Sequence, residues 1–193
     1  LRTPLAGIVG AAGTLRDYSD GLSAEDRDGL LETVQDEAER LSRFIANLLD
    51  MTRIEWGLTK PNVALVDLDE VIGSTLRRAR TILSGHKLEP SVAHDLPMLS
   101  LDPVLMEQTV FNLLENAAKY APEGSTIQLR AARAGGMVSL QVVDEGPGFP
   151  EKDTGRLFDM FYRVAKVDKV RAGTGLGLAI CKGFVAAMGG MIT

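Results

Sequence analysis

Residues 112–120 of the chain read NLLENAAKY, and this stretch decides the interpretation of its second half. On a helix, Asn112 and Asn116 lie one turn apart, and Lys119 and Tyr120 follow one turn after Asn116. One helix face therefore carries two amides, an ammonium group and a phenol, which are costly to bury without partners. An amide oxygen suits Mg²⁺, and a lysine suits a phosphate as a point charge. The alternative is an exposed helix face with ordinary polar residues.

A second stretch, VVDEGPGF at 142–149, places a carboxylate at the end of an apolar strand. The carboxylate of Asp144 cannot bind a phosphate, but it can accept a hydrogen bond from an exocyclic amine such as adenine N6. Gly146 and Gly148 would let the backbone approach a flat base closely. The alternative is a plain acidic turn.

A third stretch, GTGLGLAI at 173–180, runs from alternating glycines into a predicted helix N-terminus, where exposed N–H groups favour an anion. It is neither a Walker A loop nor a Rossmann fingerprint, since no GxxxxGK[ST] occurs and no strand immediately precedes it. The segment before it is basic, which suits either a loop over phosphates or a solvated loop. Its cations are Arg163, Lys166, Lys169 and Arg171.

The first 57 residues predict two helices. The first runs from Leu1 with apolar residues at 4-3-4-3 spacing, and Ser23 with Asp26 forms a capping box for the second. The second helix carries a coiled-coil seam, and such a hairpin has too little of its own chain to cover it. We therefore expect a dimer through a four-helix bundle, the alternative being that the seam packs on the rest of this chain. The seam comprises Leu31, Val34, Ala38, Leu41, Ile45, Leu48 and Thr52.

Residues 63–193 predict an α+β sandwich with helices on one face of a mixed sheet. The predicted strands lie in VALVDL, KLEPSVAHD and MLSLD, and Gly135-Gly136 turns a β-hairpin. Helices are expected over DLDEVIGSTLRRARTILS, after the cap pair Asp102-Pro103, and after the third stretch. The closing GGMIT predicts the start of a further strand, and both ends of the chain look truncated.

Composition narrows the class of protein. A net charge of −5 argues against sequence-independent nucleic-acid binding, which a basic protein would favour. No apolar run approaches the ~20 residues of a membrane span. The single cysteine, Cys181, excludes a disulfide within the chain and is most simply a small buried hydrophobe.

In their order and spacing, the three stretches resemble the N, G1 and G2 boxes of histidine-kinase ATPase domains of the GHKL superfamily. LFDMFYR at 157–163, with Phe158 and Phe161, resembles their F box. LRTPL at 1–5 and NLLDMTRIE at 47–55 resemble their dimerisation and phosphotransfer domain. The resemblance thus implies an α + α/β multi-domain chain, with a two-helix hairpin over 1–57 that forms a dimeric four-helix bundle and a GHKL ATPase domain over 63–193.

The resemblance also implies roles for single residues. Asp144 would accept from adenine N6, and Asn116 would ligate Mg²⁺ with Asn112 in support. The phospho-accepting histidine would lie two positions before Leu1, and is absent here, whereas Thr3 would orient a water for regulator dephosphorylation. The remaining ATP-contacting positions would be Lys119, Tyr120, Gly146, Gly148, Phe158, Phe161, Arg163, Gly173, Thr174, Gly175, Leu176 and Gly177. His86 and His94 stand outside any acceptor context and are interpreted as structural or surface residues.

The function implied is that of a two-component sensor histidine kinase, which phosphorylates its own histidine with ATP and passes the group to an aspartate of a response regulator. Regulator phosphatase activity is expected too. LRTPLAGIVGAAGTL and NLLDMTRIEWG look most like Kdp-type potassium-responsive sensor kinases, which implies the cytoplasmic part of a bacterial inner-membrane protein. Two alternatives remain: a gyrase-, chaperone- or mismatch-repair-like ATPase, or a dimerisation scaffold without turnover.

Overall fold

Two long helices precede an α+β unit in the computed structural model, which describes residues 2–18, 21–55, 60–163 and 175–193. The chain divides into two compact units, Leu1–Asp50 and Met51–Thr193. Helix α1 spans Arg2–Asp17, and helix α2 spans Ala24–Glu55. The predicted first and second helices are both confirmed, although Leu1, where the first was expected to begin, lies outside the described residues.

The predicted cap of α2 is formed by the expected pair. The backbone N of Asp26 donates to Oγ of Ser23 at 3.0 Å, and that hydroxyl donates to the Asp26 carboxylate at 2.6 Å. Because the first backbone N–H groups of a helix lack intrahelical acceptors, this exchange fixes where α2 begins.

An apolar stripe on the helical unit stays open to solvent in the single chain. Leu31, Ile45 and Leu48 are exposed by 51%, 47% and 37%, whereas Val34 and Leu41 are half-buried. Contiguous exposed apolar surface of this kind marks an interaction site more often than a free face.

In its described residues the second unit contains two small sheets and three α-helices that follow α2. The elements are β1 Ala64–Val66, α3 Leu68–Arg78, β2 Lys87–Val92, β3 Leu99–Leu101, α4 Pro103–Tyr120, β4 Thr126–Ala134, β5 Met137–Val143 and α5 Gly177–Ala187. Strands β1 and β3 pair antiparallel, while β2, β4 and β5 form a mixed sheet in that order, with β2 parallel to β4 and β4 antiparallel to β5. The predicted sandwich and mixed sheet are confirmed.

Helix α4 is the central element of this unit. Its face with Val110, Leu114 and Ala117 packs with α3 and with strand β4 in one buried cluster. Another face, which includes Leu105, packs against the buried side chains of α5. Helix α4 is therefore packed on two sides, and this packing positions the polar residues of its last turns.

The start of α4 confirms the predicted cap. Oδ1 of Asp102 accepts from the backbone N of Val104 at 2.9 Å and of Leu105 at 3.2 Å, and Pro103 occupies the first turn. Oδ2 of Asp102 also accepts from the backbone N of Asn62 at 2.7 Å, and this hydrogen bond joins the segment before β1 to the start of α4.

Two sequence-based expectations are wrong. Helix α3 ends at Arg78, and the residues up to 85 continue as turns instead of completing the longer predicted helix. No strand begins in GGMIT among the described residues. Gly189 has φ +77° and Gly190 N donates to Val185 O at 2.8 Å, so this segment caps α5 instead of pairing with a sheet.

A close contact between the last turn of α2 and α5 predicts the effect of one substitution. A methyl group at Gly183 would lie 2.6 Å from Cγ2 of Ile54. Overpacking costs about 1–3 kcal/mol, which exceeds the gain of about 1 kcal/mol from replacing a helical glycine by alanine. We expect Gly183→Ala to lower the free energy of unfolding by about 1 kcal/mol, measured by urea titration.

Gly29→Ala is the matched control, because nothing lies within 4 Å of a methyl group at this helical position. It should stabilise the protein or leave it unchanged. The double variant Gly183→Ala/Ile54→Ala should lose less free energy of unfolding than the two single variants lose together. Equal gains from Gly183→Ala and Gly29→Ala would contradict the contact.

Candidate functional site

The polar residues of NLLENAAKY lie on the last turns of α4, as the helical spacing predicts. Asn116, Lys119 and Tyr120 are half-buried, and Asn112 is only 8% exposed. The ammonium group of Lys119 lies 4.9 Å from the centre of the Tyr120 ring, which is within cation–π range. These side chains therefore border a surface that is partly sheltered from water.

The carboxylate of Asp144 follows directly after β5 and is exposed. Its Oδ1 accepts from the backbone N of Gly146 at 2.7 Å, which closes a tight turn. A methyl group at Gly146 would lie 3.3 Å from the carbonyl oxygen of Tyr120. Glycine thus lets the turn after β5 pass directly against the C-terminal end of α4. Gly148, two residues on, has φ +64°, a conformation that glycine adopts without strain.

The third stretch reaches α4 as well. Gly175 has φ +69°, Leu176 is completely buried, and Gly177 is the first residue of α5. A methyl group at Gly177 would lie 3.7 Å from Nδ2 of Asn116, so the N-terminus of α5 faces that amide. Helix N-termini carry unpaired N–H groups and a partial positive charge. The predicted positions Gly173 and Thr174 lie outside the described residues, as do Lys166, Lys169 and Arg171 of the basic segment.

The two phenylalanines of LFDMFYR lie in different surroundings. Phe158 is half-buried, with the ammonium group of Lys182 6.0 Å from its ring centre. Phe161 is 58% exposed, and its backbone N donates to the carbonyl of Gly175 at 2.9 Å. This stretch is therefore joined to the glycine turn before α5. Arg163, two residues beyond, is exposed.

Asn112 faces α5 at Cys181. Burial raises the pKa of the Cys181 thiol to about 12, and the neighbouring side chain of Asn112 opposes this rise. The thiol also lies 3.7 Å from the carbonyl of Thr109, so it is the small buried residue that the sequence indicated. Nδ2 of Asn112 is buried and has no hydrogen-bond acceptor within the described part of the chain. Such a donor is costly to leave unpaired unless a ligand or water satisfies it.

The structure thus brings Asn116, Asp144, Gly146 and residues 175–177 to one end of α4. The side chain of Thr3 lies outside the described residues. His94 is exposed, and His86 is half-buried with Nε2 3.0 Å from the carbonyl of Ala118, as the sequence indicated. Sequence reasoning missed Asp153, whose carboxylate accepts from the hydroxyl of Tyr162 at 2.7 Å. The only feature of the sequence that pointed to this hydrogen bond was Tyr162 itself, whose hydroxyl needs an acceptor when it is partly buried.

The chemistry of the donors fits a nucleotide with Mg²⁺. Among the described residues, no group of three or more His, Cys, Asp or Glu side chains could hold a metal ion. Mg²⁺ keeps several waters and binds through few protein ligands together with substrate phosphates, so the amide oxygen of Asn116 beside a helix N-terminus is a ligand type that suits it. None of the helices in the described ranges is both long and apolar enough to cross a membrane.

Comparison with protein families agrees with these features. Residues 101–193 match the family of histidine kinase-, DNA gyrase B- and HSP90-like ATPases. Residues 1–57 match the His Kinase A (phospho-acceptor) domain. The two matches do not overlap.

Curated relatives cover the chain from end to end. Sensor protein KdpD of Clostridium acetobutylicum is 38% identical over 193 residues, which is 100% of this chain and 21% of that protein. KdpD of Escherichia coli K12 is 38% identical over 200 residues, again 100% of this chain and 21% of that protein. The alginate biosynthesis sensor protein KinB of Pseudomonas aeruginosa is 36% identical, and 32% of it is covered. The chain therefore spans about a fifth to a third of the length of these relatives.

Solved structures share the fold. The histidine kinase AdeS of Acinetobacter baumannii superposes with a TM-score of 0.79 at 23% identity, over 100% of this chain and 88% of AdeS. Full-length ShkA, crystallised in complex with AMPPNP, superposes with a TM-score of 0.72 at 28% identity, over 97% of this chain and 39% of ShkA.

Proposed function

This chain belongs to the sensor histidine kinases of two-component systems, because it joins a His Kinase A domain to an ATPase domain of their family, and we propose that it uses ATP to phosphorylate a histidine. We assign the phosphotransfer part to residues 1–57 and the nucleotide-binding part to residues 63–193. The observation that carries the proposal is the convergence of Asp144, Gly146, Asn116 and the start of α5 at one end of α4.

Adenine recognition falls to the turn after β5 in this proposal. Oδ1 of Asp144 is occupied by the backbone N of Gly146, while Oδ2 accepts no hydrogen bond from the described residues. An exocyclic amine such as adenine N6 is the donor that Oδ2 suits. Gly146 and Gly148 leave the base room to lie flat, and Tyr120 flanks the nucleoside.

The phosphates bind at the other side of Asn116. The backbone N–H groups of residues 175–177 and the α5 dipole favour negative charge there, and Lys119 and Arg163 add positive charge. Asn116, with Asn112 in support, would hold Mg²⁺, which neutralises phosphate charge when bound. Phosphoryl transfer needs positioning and charge stabilisation more than covalent help from the protein. The start of α5, Lys119, Arg163 and Asn116 would together provide both.

The histidine that receives the phosphoryl group would lie two positions before Leu1. We propose further that the group passes to an aspartate of a response regulator, and that Thr3 orients a water for the reverse phosphatase reaction. The named KdpD relatives favour a potassium-responsive system. The test is to extend the chain by the residues that precede Leu1 in its gene and to incubate it with γ-labelled ATP. Label that is acid-labile, alkali-stable and lost on replacing that histidine supports the proposal, and absence of such label from folded protein contradicts it.

The role of Asn116 predicts a change in magnesium dependence. We expect Mg²⁺ to strengthen ATP binding to the parent chain by about tenfold or more, because Asn116 would hold the ion and the ion would neutralise phosphate charge. Asn116→Ala should bind ATP with the same affinity with and without Mg²⁺, within about twofold, in calorimetric titrations. Asn62→Ala, an exposed asparagine on the same unit, should keep the parental response. An Asn116→Ala chain that still responds to Mg²⁺ would refute this ligand.

The exposed stripe on α2 predicts a dimer. We expect the parent chain to sediment as a dimer and the double variant Ile45→Glu/Leu48→Glu as a monomer, because charges on a buried seam are costly. Leu65→Glu is the control, since Leu65 on β1 is 72% exposed yet lies outside the helical unit. A monomeric parent chain, or a dimer insensitive to the double change, would refute this surface as the dimer interface.

A further inference from the structure

Tyr162 is anchored by two side chains of the 3₁₀ helix Glu151–Arg156. Its hydroxyl donates to Oδ1 of Asp153 at 2.7 Å, a length typical of a hydrogen bond to a charged acceptor. The guanidinium carbon of Arg156 lies 4.3 Å from the centre of the ring, which is cation–π geometry. The ring is therefore held at its hydroxyl and at its face.

The residue before Tyr162 has an unusual backbone. Phe161, with φ +60°, is the single non-glycine residue of positive φ among the described ranges. Such a conformation persists where the surroundings impose it. Two contacts do so here, the anchored Tyr162 on one side and the hydrogen bond from Phe161 N to Gly175 O at 2.9 Å on the other.

This backbone lies directly against the glycine turn before α5. A methyl group at Gly175 would lie 2.9 Å from the carbonyl carbon of Phe161 and 3.1 Å from the carbonyl oxygen of Tyr162. The turn continues through the buried Leu176 into Gly177, whose Cα faces the amide of Asn116. A displacement of Tyr162 would therefore move the N–H groups to which we assign phosphate binding.

We propose that the hydrogen bond between Tyr162 and Asp153 is a clasp that positions residues 175–177 for the phosphates of the nucleotide. The inference rests on the function proposed above and makes both side chains positioning residues, since neither need touch ATP. The hydrogen bond to Asp153 also raises the pKa of the Tyr162 hydroxyl above its ordinary value, which agrees with a hydroxyl that donates to a carboxylate.

The clasp is tested by Tyr162→Phe, which removes the hydroxyl and keeps the ring beneath Arg156. ATP and AMP are each titrated against the variant and the parent chain, because AMP shares the adenine but lacks the two outer phosphates. We expect ATP to bind about fivefold or more weakly, because lost positioning costs less than a lost direct hydrogen bond to the ligand. AMP should bind within about twofold of the parent, since it lacks the outer phosphates. Tyr18→Phe, exposed on the helical unit, should leave both affinities unchanged.

Asp153 variants separate positioning from general damage. Asp153→Asn keeps an acceptor oxygen and should bind ATP within about twofold of the parent, whereas Asp153→Ala should match Tyr162→Phe. The double variant Tyr162→Phe/Asp153→Ala should bind no more weakly than either single variant, because both remove one interaction. Parental ATP affinity in Tyr162→Phe, or equal weakening of ATP and AMP, would overturn the clasp alone. A folded parent chain that binds no ATP would instead overturn the proposed function, and the clasp with it.

Discussion

Asp144→Ala is expected to weaken ATP binding by about 10- to 150-fold, which corresponds to the 1.5–3 kcal/mol of a hydrogen bond to a charged group. The carboxylate ends β5 at the point where Gly146 brings the backbone against α4, so an acceptor is presented beside the flat surface that a base needs. The side chain is exposed, so the only structural loss should be its hydrogen bond from Gly146 N, which lowers the free energy of unfolding by about 1 kcal/mol. Calorimetric titration of both chains measures the difference.

Glu145→Ala is the matched control for this prediction. It removes an equally exposed carboxylate one residue away and changes the net charge by the same amount. ATP affinity within about twofold of the parent is expected, because exposed charges separated from the ligand are screened by salt. Equal losses in the two variants would mean that the effect is general electrostatics, and base recognition by Asp144 would be wrong.

Gly175→Ala is the second change with a large expected effect. The residue has φ +69°, and a methyl group there would lie 2.9 Å from a backbone carbon of Phe161. A left-handed conformation costs a non-glycine residue about 1–2 kcal/mol, and the backbone clash forces the turn to move in addition. Because this turn leads into α5 beside Asn116, we expect ATP affinity to fall by about 30-fold or more, the combined effect of displaced phosphate donors.

The hairpin glycine provides a control of the same conformation. Gly135 has φ +63° and nothing within 4 Å of a methyl group, so Gly135→Ala carries the conformational cost without the clash. Both variants should lose stability in urea, and only Gly175→Ala should lose ATP binding. If both variants bound ATP as the parent does, the turn at 175–177 would not be the phosphate site.

Local signals in the sequence predicted the separate elements well. The caps of α2 and α4 and the hairpin turn at Gly135 depend on a few neighbouring residues, and each is formed as the residue types predict. The predictions for the end of α3 and for a strand in GGMIT were wrong because they do not depend on neighbouring residues alone. Whether a helix continues or a strand forms depends on tertiary partners, which an apolar pattern does not specify.

In the candidate site, too, contacts between sequence neighbours were predictable and contacts between residues distant in sequence were not. Asn112 and Asn116 share a helix, so their juxtaposition followed from spacing alone. The contact between Gly175 and Phe161 and the bond between Tyr162 and Asp153 depend on the path of the chain, which spacing does not reveal. The resemblance to a kinase family predicted that the three stretches NLLENAAKY, VVDEGPGF and GTGLGLAI form one site. It predicted neither the positive φ of Phe161 nor the hydrogen bond between Tyr162 and Asp153.

Titration of the parent chain with ATP by calorimetry, with and without Mg²⁺, tests the account most directly. One saturable site per chain, tighter with Mg²⁺, is the predicted result, since the adenine turn, Asn116 and the start of α5 converge on one surface. The account would be contradicted if the chain unfolds cooperatively in urea, and is therefore folded, yet gives no heat of ATP binding. A dimerisation scaffold without turnover would then be the better interpretation.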